Sequence, residues 1–194
     1  MNLDTDNIYY LRQYISPGGY SRSESNQLIS NLKKRRDASD REQHYKNRAI
    51  QQFAQELAGG FNPTTSPFCM TWIPPSQSKD DPQHDDRLKQ VVDKVSSLKP
   101  AFHSCEVFET SHTRPSLHFG GARRHPAEIS NHLRWMGIDL NPYKIVIVVD
   151  DVLTTGASFR AVHDMIRERY ASIPIVGFFW AFTVSDPDLD DNDF

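Results

Sequence analysis

The stretch "KIVIVVDDVLTTGASF", residues 144–159, constrains the fold more than any other part of the chain. Ile145, Val146, Ile147, Val148 and Val149 are all β-branched and apolar. Such an unbroken run predicts a strand covered on both faces, as in parallel sheets. Asp150 and Asp151 follow at once, at the expected tip of that strand, where both carboxylates would face one crevice. Two adjacent acids repel, so the pair calls for hydrogen bonds, a cation or a hydroxylated ligand. Leu153 to Ser158 then predict a turn opening a helix that carries Phe159, Val162 and Ile166. An anion at that turn would be held by backbone amides, the helix dipole and the hydroxyls of Thr154, Thr155 and Ser158, since no Lys or Arg lies within it. Gly156 permits the close backbone approach this needs. A diol for the acids, with Mg2+ nearby, and a phosphate for the turn together describe a ribose 5-phosphate.

Elsewhere the pattern alternates between strand and helix. "SRSESNQLISNLKKRR" predicts a short helix with a hydroxyl cap. "YKNRAIQQFAQELAGG" predicts a helix ended by Gly59 and Gly60. "SPFCMTWIPP" reads as a buried strand stopped by Pro74 and Pro75, and "DDRLKQVVDKVSSL" as a helix with acids at its start. "SCEVFET" is a short predicted strand, and "SHTRPSLHFGGARRH" a mobile loop or short hairpin. Pro126 opens a predicted helix through "AEISNHLRW". "FRAVHDMIRERY" and "IVGFFWAFTV" supply the last helix and strand. Alternation of this kind predicts an α/β fold, a mainly parallel sheet with helices on both faces and ligands at the carboxyl ends of the strands. The expected organisation is a helical N-terminal extension over residues 1–44, one domain over 45–184, and a disordered acidic tail over 185–194, where five Asp fall within residues 186–194.

Composition excludes more than it selects. A formal charge of -3 gives no global field for a polyanion. The local excess from Lys33 to Arg48, seven basic residues against three acids, reads as a solvated helix end and loop. Nucleic acid is therefore not the expected partner. Cys69 and Cys105 sit in apolar stretches, as buried thiols of a reducing compartment rather than a disulfide framework or a zinc site. The acidic N-terminus is unlike a signal peptide and no apolar run spans a bilayer, so a cytoplasmic protein is expected.

The thirteen residues "VIVVDDVLTTGAS" resemble the 5-phosphoribosyl 1-pyrophosphate (PRPP) signature of type I phosphoribosyltransferases: a hydrophobic strand, two acids and a T-T-G-[AG]-[ST] loop. The order of elements from about residue 45 to 184 is similar to that family's core. The resemblance implies that Asp150 and Asp151 contact the ribose hydroxyls, and that Thr154, Thr155, Gly156, Ala157 and Ser158 hold the 5-phosphate. By position it also implies a pyrophosphate loop at "IPPSQSKDDPQHDDR", with Ser76, Gln77, Ser78, Lys79 and Arg87, although the acids at 80, 81, 85 and 86 are unusual company for a pyrophosphate. A flexible hood would carry Arg114, His118, Arg123 and Arg124, distantly similar to ComF-like and amidophosphoribosyltransferase-like proteins.

The implied reaction is Mg2+-dependent transfer of a phosphoribosyl group from PRPP to a nitrogen acceptor such as a nucleobase, with release of pyrophosphate. The metal would come with PRPP, near Asp150 and Asp151. The other reading is a non-catalytic PRPP or nucleotide sensor on the same fold, working through a partner protein or nucleic acid, or a defence-associated protein; a homodimer or a partner protein is open to either reading. Neither a Walker A end nor G-x-G-x-x-G is present.

Overall fold

The computed structural model describes residues 7–62, 67–113 and 125–186. Its centre is a five-stranded parallel sheet in the order β1-β7-β6-β2-β3. The strands are β1 (Ile8–Ser16), β2 (Phe68–Trp72), β3 (Phe102–Ser104), β6 (Val146–Leu153) and β7 (Ile175–Ser185). Antiparallel β4 (Phe108–Thr110) and β5 (Leu133–Trp135) form a separate pair. The helices are α1 (Glu24–Leu32), α2 (Asp40–Gly59), α3 (Arg87–Leu98), α4 (Pro126–Ser130) and α5 (Ala157–Arg169). The protein is thus an α/β fold with a mainly parallel sheet. No helix among the described residues is long and apolar enough to cross a membrane.

The pleat of β6 explains why both faces must be covered. Ile147 and Val149 bury against α1, α2 and α3, in a core anchored by Phe53 stacked on Trp180 at 4.7 Å. Val146 and Val148 bury on the other side with Ile129, Leu133, Val162 and Ile166, from α4, β5 and α5. Helix starts follow local chemistry. Ser39 and Glu42 form a reciprocal capping box at α2, and the Ser23 hydroxyl accepts from the Asn26 amide at α1.

Three segments differ from the pattern read in the sequence. The N-terminal segment expected as a helical extension supplies a strand as well as α1, because β1 extends the sheet through parallel pairing with β7 from Ile8↔Gly177 to Ser16↔Ser185. The strand expected at "SCEVFET" is divided. Phe102–Ser104 joins the main sheet, whereas Phe108–Thr110 pairs with β5. The helix expected from Pro126 through Trp135 ends at Ser130, since Leu133 and Trp135 are taken up in pairing with Thr110 and Phe108. The tail expected over 185–194 lies outside the described residues beyond Asp186.

One glycine sets how closely α5 approaches the sheet. A Cβ on Gly177 would lie 2.8 Å from Cε2 of Phe159, in the first turn of α5, and 3.0 Å from the Phe179 ring. Gly177→Ala is therefore expected to cost about 1–3 kcal/mol through overpacking. Urea unfolding checks this, and wild-type stability in the variant would contradict the close approach.

Candidate functional site

The carboxyl ends of the strands open onto a cavity of about 300 Å3. Its walls come from the segment after β2 (Ile73 to Ser76), the start of α3, β4, and the end of β6. The reason for an opening there is visible in the ladders. Pairing of β6 with β2 ends at Trp72↔Val149, with one further bond from the Ile73 N–H to the Val149 carbonyl at 3.0 Å. Pairing of β6 with β7 continues to Leu153↔Phe182. Asp150 thus stands beside the notch left where β2 turns away at Pro74.

This geometry revises the expected placement of the acids. They lie inside β6, not beyond its tip, and the pleat separates them instead of aiming both into one crevice. Asp150 is half-buried and lines the cavity. Asp151 is 5% exposed and is held by two cations. Lys33, which caps the C-terminus of α1, places its Nζ 3.0 Å from Oδ1. Arg87 donates to Oδ2 through Nη2 at 2.7 Å and Nε at 3.2 Å.

Arg87 continues the network to Asp85 through Nη1 at 2.6 Å. Asp85 in turn accepts from Lys46 at 2.8 Å, and that buried ammonium also donates to the Lys34 carbonyl at 2.7 Å. The result is an alternating row, Lys33–Asp151–Arg87–Asp85–Lys46, that joins α1, β6, α3 and α2. Every buried charge in it has an opposite neighbour, the condition under which burial of charge is tolerated.

The electrostatics of the two acids diverge accordingly. Burial raises the Asp150 carboxyl to about 7, and the charge of Asp151 adds to the rise. Burial would raise Asp151 as well, but Lys33 and Arg87 outweigh it and bring that carboxyl down to about 2. The Asp150 carboxylate accepts the Asp151 backbone N–H at 2.8 Å, which only partly offsets its rise. Two adjacent acids therefore play unlike parts: one fixed anion within an ion-pair row, and one half-buried titrating group at the cavity wall.

The turn after β6 leads directly into the start of α5. Thr154 and Thr155 are exposed, and Gly156 is buried with φ at 73°, in the left-handed region where a Cβ is disfavoured. No side chain caps α5. Its first-turn amides carry the orphan donors and the positive dipole end common to helix starts. Ser158 lines the cavity, while the Thr155 hydroxyl lies 3.4 Å from the Ala157 amide.

The segment expected to hold pyrophosphate is arranged differently from its sequence reading. Ser76, Lys79 and Arg87 line the cavity. The Ser78 amide is already engaged, donating to the Thr113 hydroxyl at 3.1 Å, and the Gln77 carbonyl lies 3.1 Å from Nδ1 of His84. Lys79 is paired with Glu106 at 2.8 Å and Glu109 at 3.1 Å, and Glu109 also binds Arg134. Three of the four acids of this loop find partners inside the protein. Asp81 accepts from the Thr113 hydroxyl at 2.8 Å, Asp86 from Gln90 at 2.7 Å, and Asp85 from Lys46 and Arg87. Arg114, His118, Arg123 and Arg124, the expected hood residues, lie outside the described residues.

Lys33, Lys46 and Glu109 are site neighbours that no local pattern singled out. Lys33 and Lys46 belong to the basic stretch read as solvated, and only the tertiary fold discloses their buried partners. A resident metal cage is not built here: among the described residues there is no group of three or more His, Cys, Asp or Glu suited to hold an ion. Asp150 is one of five acids lining the cavity, with Asp85, Asp86, Glu106 and Glu109; Asp85 and Glu109 are held by cations, and so sparse a free donor set fits an ion carried mainly by phosphates and water.

No family model and no curated protein matches the chain. Among solved structures it is similar to a hypoxanthine phosphoribosyltransferase from Staphylococcus aureus, with 12% identity over 75% of this chain and 67% of that one, at a TM-score of 0.39. A Trypanosoma cruzi hypoxanthine phosphoribosyltransferase gives 12% identity, 88% and 70% coverage, and a TM-score of 0.34. A glutamine mutant of an HPRT at an invariant aspartic acid gives 11% identity, 88% and 73% coverage, and a TM-score of 0.34.

Proposed function

We propose that the protein binds PRPP at the end of β6 and transfers its phosphoribosyl group to a nitrogen acceptor, such as a nucleobase, with release of pyrophosphate. The observation that carries this reading is the β6–turn–α5 unit. It sets a cavity-facing carboxylate, Asp150, next to an uncapped helix start reached through a left-handed Gly156. The sequence of that unit resembles the PRPP signature residue by residue.

In this reading the 5-phosphate lies against the amides of Thr155 to Ser158 and the hydroxyls of Thr154, Thr155 and Ser158. The ribose hydroxyls donate to Asp150. Asp151 acts at one remove, holding Arg87 at the cavity wall. The C1–O bond to pyrophosphate breaks with its electron pair leaving on the pyrophosphate oxygen as the C1–N bond forms, and the acceptor nitrogen gives up its proton to solvent. Mg2+, carried by the pyrophosphate, would neutralise the leaving charge, and Asp150 at the cavity wall would be its protein ligand. Ser76, Lys79 and Arg87 border the place where pyrophosphate would leave, and either cation would have to exchange a carboxylate partner to engage it. The protein's share is positioning and charge stabilisation, with no covalent protein intermediate.

Incubation with PRPP, Mg2+ and a panel of purine, pyrimidine and simple amine acceptors is expected to release pyrophosphate with at least one of them. PRPP binding without release across the panel would favour a nucleotide sensor on the same site, and would overturn the transfer step.

A further inference from the structure

Among the described residues, the main sheet has an open edge at β1. β1 runs nine residues, IYYLRQYIS, with β7 on one side only. Tyr9, Tyr10 and Leu11 are 53%, 50% and 40% exposed. The strand holds no Pro or Lys, and its single charge, Arg12, is directed to Glu56 on α2. Natural edges are commonly protected by charge, proline or a covering element; this one has no proline, and its one charge is paired with α2.

The hydrogen bonds at the C-terminal end of β1 reveal which main-chain groups point outward. The Ser16 carbonyl accepts from the Asp186 amide at 3.0 Å, on the β7 side. The Ile15 amide and carbonyl point the other way, and both are satisfied by one buried side chain: the N–H donates to Asn26 Oδ1 at 3.0 Å, and Asn26 Nδ2 donates to the carbonyl at 3.0 Å. Asn26 therefore acts as a one-residue substitute for a neighbouring strand and closes the edge at Ile15.

Alternation along a strand then points the amides and carbonyls of Gln13, Leu11 and Tyr9 outward as well. Among the described residues, no group outside the β1–β7 ladder bonds to the main chain of these three. Among the described residues these three rungs, centred on Leu11, have no partner.

We propose that this edge pairs with the same edge of a second copy of the chain, antiparallel about a two-fold axis at Leu11, joining the two main sheets. The register is self-complementary. Leu11 faces its own counterpart and Tyr9 faces Gln13 of the second copy, so all three outward residues on each strand fall in hydrogen-bonded pairs. Between them Tyr10 stands opposite Arg12, an aromatic ring beside a guanidinium. No like charges meet across the axis, whereas an edge carrying a lysine at its centre would be repelled.

The wild type and two variants of the full chain test this by sedimentation equilibrium from about 1 to 100 µM, the range of weak and moderate association. The wild type is expected to be dimeric in the upper part of that range. Leu11→Pro removes one outward N–H while sparing the β7 ladder, as proline is tolerated on an edge whose N–H faces solvent. It should be monomeric, at least tenfold weaker in self-association. Leu11→Lys should behave likewise, and it keeps the question answerable if the proline variant folds poorly.

The register has its own readout. Facing residues in a hydrogen-bonded antiparallel pair have Cα atoms about 5.5 Å apart, within disulfide reach. Leu11→Cys should thus cross-link to a covalent dimer when copper-phenanthroline with dissolved oxygen accepts the two electrons and two protons of the paired thiols. Gln13→Cys, paired with Tyr9 and not with itself, should cross-link at least tenfold more slowly. A monomeric wild type throughout the range overturns the proposal, including the case in which this edge serves a strand of a different protein. So does a dimer unaffected by both Leu11→Pro and Leu11→Lys, or equal cross-linking at positions 11 and 13.

Discussion

Arg87→Met is expected to destabilise the protein by on the order of 3 kcal/mol, the usual consequence of removing one member of a buried ion pair. The methionine keeps most of the side-chain stem, so the loss is one of charge rather than volume. What remains is poorly matched. Of their cations Asp151 retains only Lys33 and Asp85 only Lys46, while Asp85 also keeps the backbone N–H of residue 87. The effect carries a pH signature. Asp151 is depressed to about 2 in the folded protein, so its contribution is fully present above the unfolded carboxylate pKa near 4 and is lost as pH falls through about 2. The gap between wild type and Arg87→Met in urea unfolding should therefore be widest near neutral pH and narrow steadily below about pH 4. Adding Asp151→Asn to Arg87→Met should cost less than Asp151→Asn alone, by roughly 1–3 kcal/mol of coupling. Additive losses would mean that the row is not a physical unit.

Asp150→Asn is expected to leave the fold intact and to weaken PRPP binding by about 10- to 100-fold, the worth of one or two charge-assisted hydrogen bonds. Its carboxyl is raised to about 7, so the ligand-accepting carboxylate forms only as pH rises through that value. Wild-type affinity should increase from pH 6 to pH 8, and the Asn variant should lack that increase. Stability moves the other way. The folded state holds this proton more tightly than the unfolded state does, so Asp150 costs stability as pH rises from about 4 to about 7, and the cost then persists. Relative to wild type, Asp150→Asn should gain stability across that window. Reduced stability of the variant at pH 8 would assign Asp150 a structural role like that of its neighbour.

These two predictions separate residues that the sequence presents as twins. Contiguity made the β6–turn–α5 unit readable, because a β-branched run, two acids and a Gly-containing turn fall within one window and each has a local physical meaning. The same holds for β2, β7, α2 and α3, whose periodicity or flanking prolines carry the signal. β1 escaped because an edge strand is only half covered, and IYYLRQYIS shows neither strict alternation nor a continuous apolar run. β4 and β5 are three residues each and depend on one another, so Leu133 to Trp135 looked like the end of a helix until Phe108 and Thr110 claimed them.

Charged partners were the least readable part of the site. Lys33 and Lys79 carry the same charge, and nothing local says that one neutralises a buried strand acid while the other pairs with Glu106 and Glu109. The acids at 81, 85 and 86, unexpected for a pyrophosphate loop, have internal partners that only the tertiary arrangement supplies.

Calorimetric titration of PRPP with Mg2+ into the full-length protein at pH 8 measures the central claim most directly. Saturable one-site binding is expected, reduced about 10- to 100-fold in an Asp150→Asn variant whose unfolding midpoint is no lower than that of wild type. Absence of binding to the folded wild type, or equal binding by the variant, would contradict the assignment of this strand end as a ribose-phosphate site.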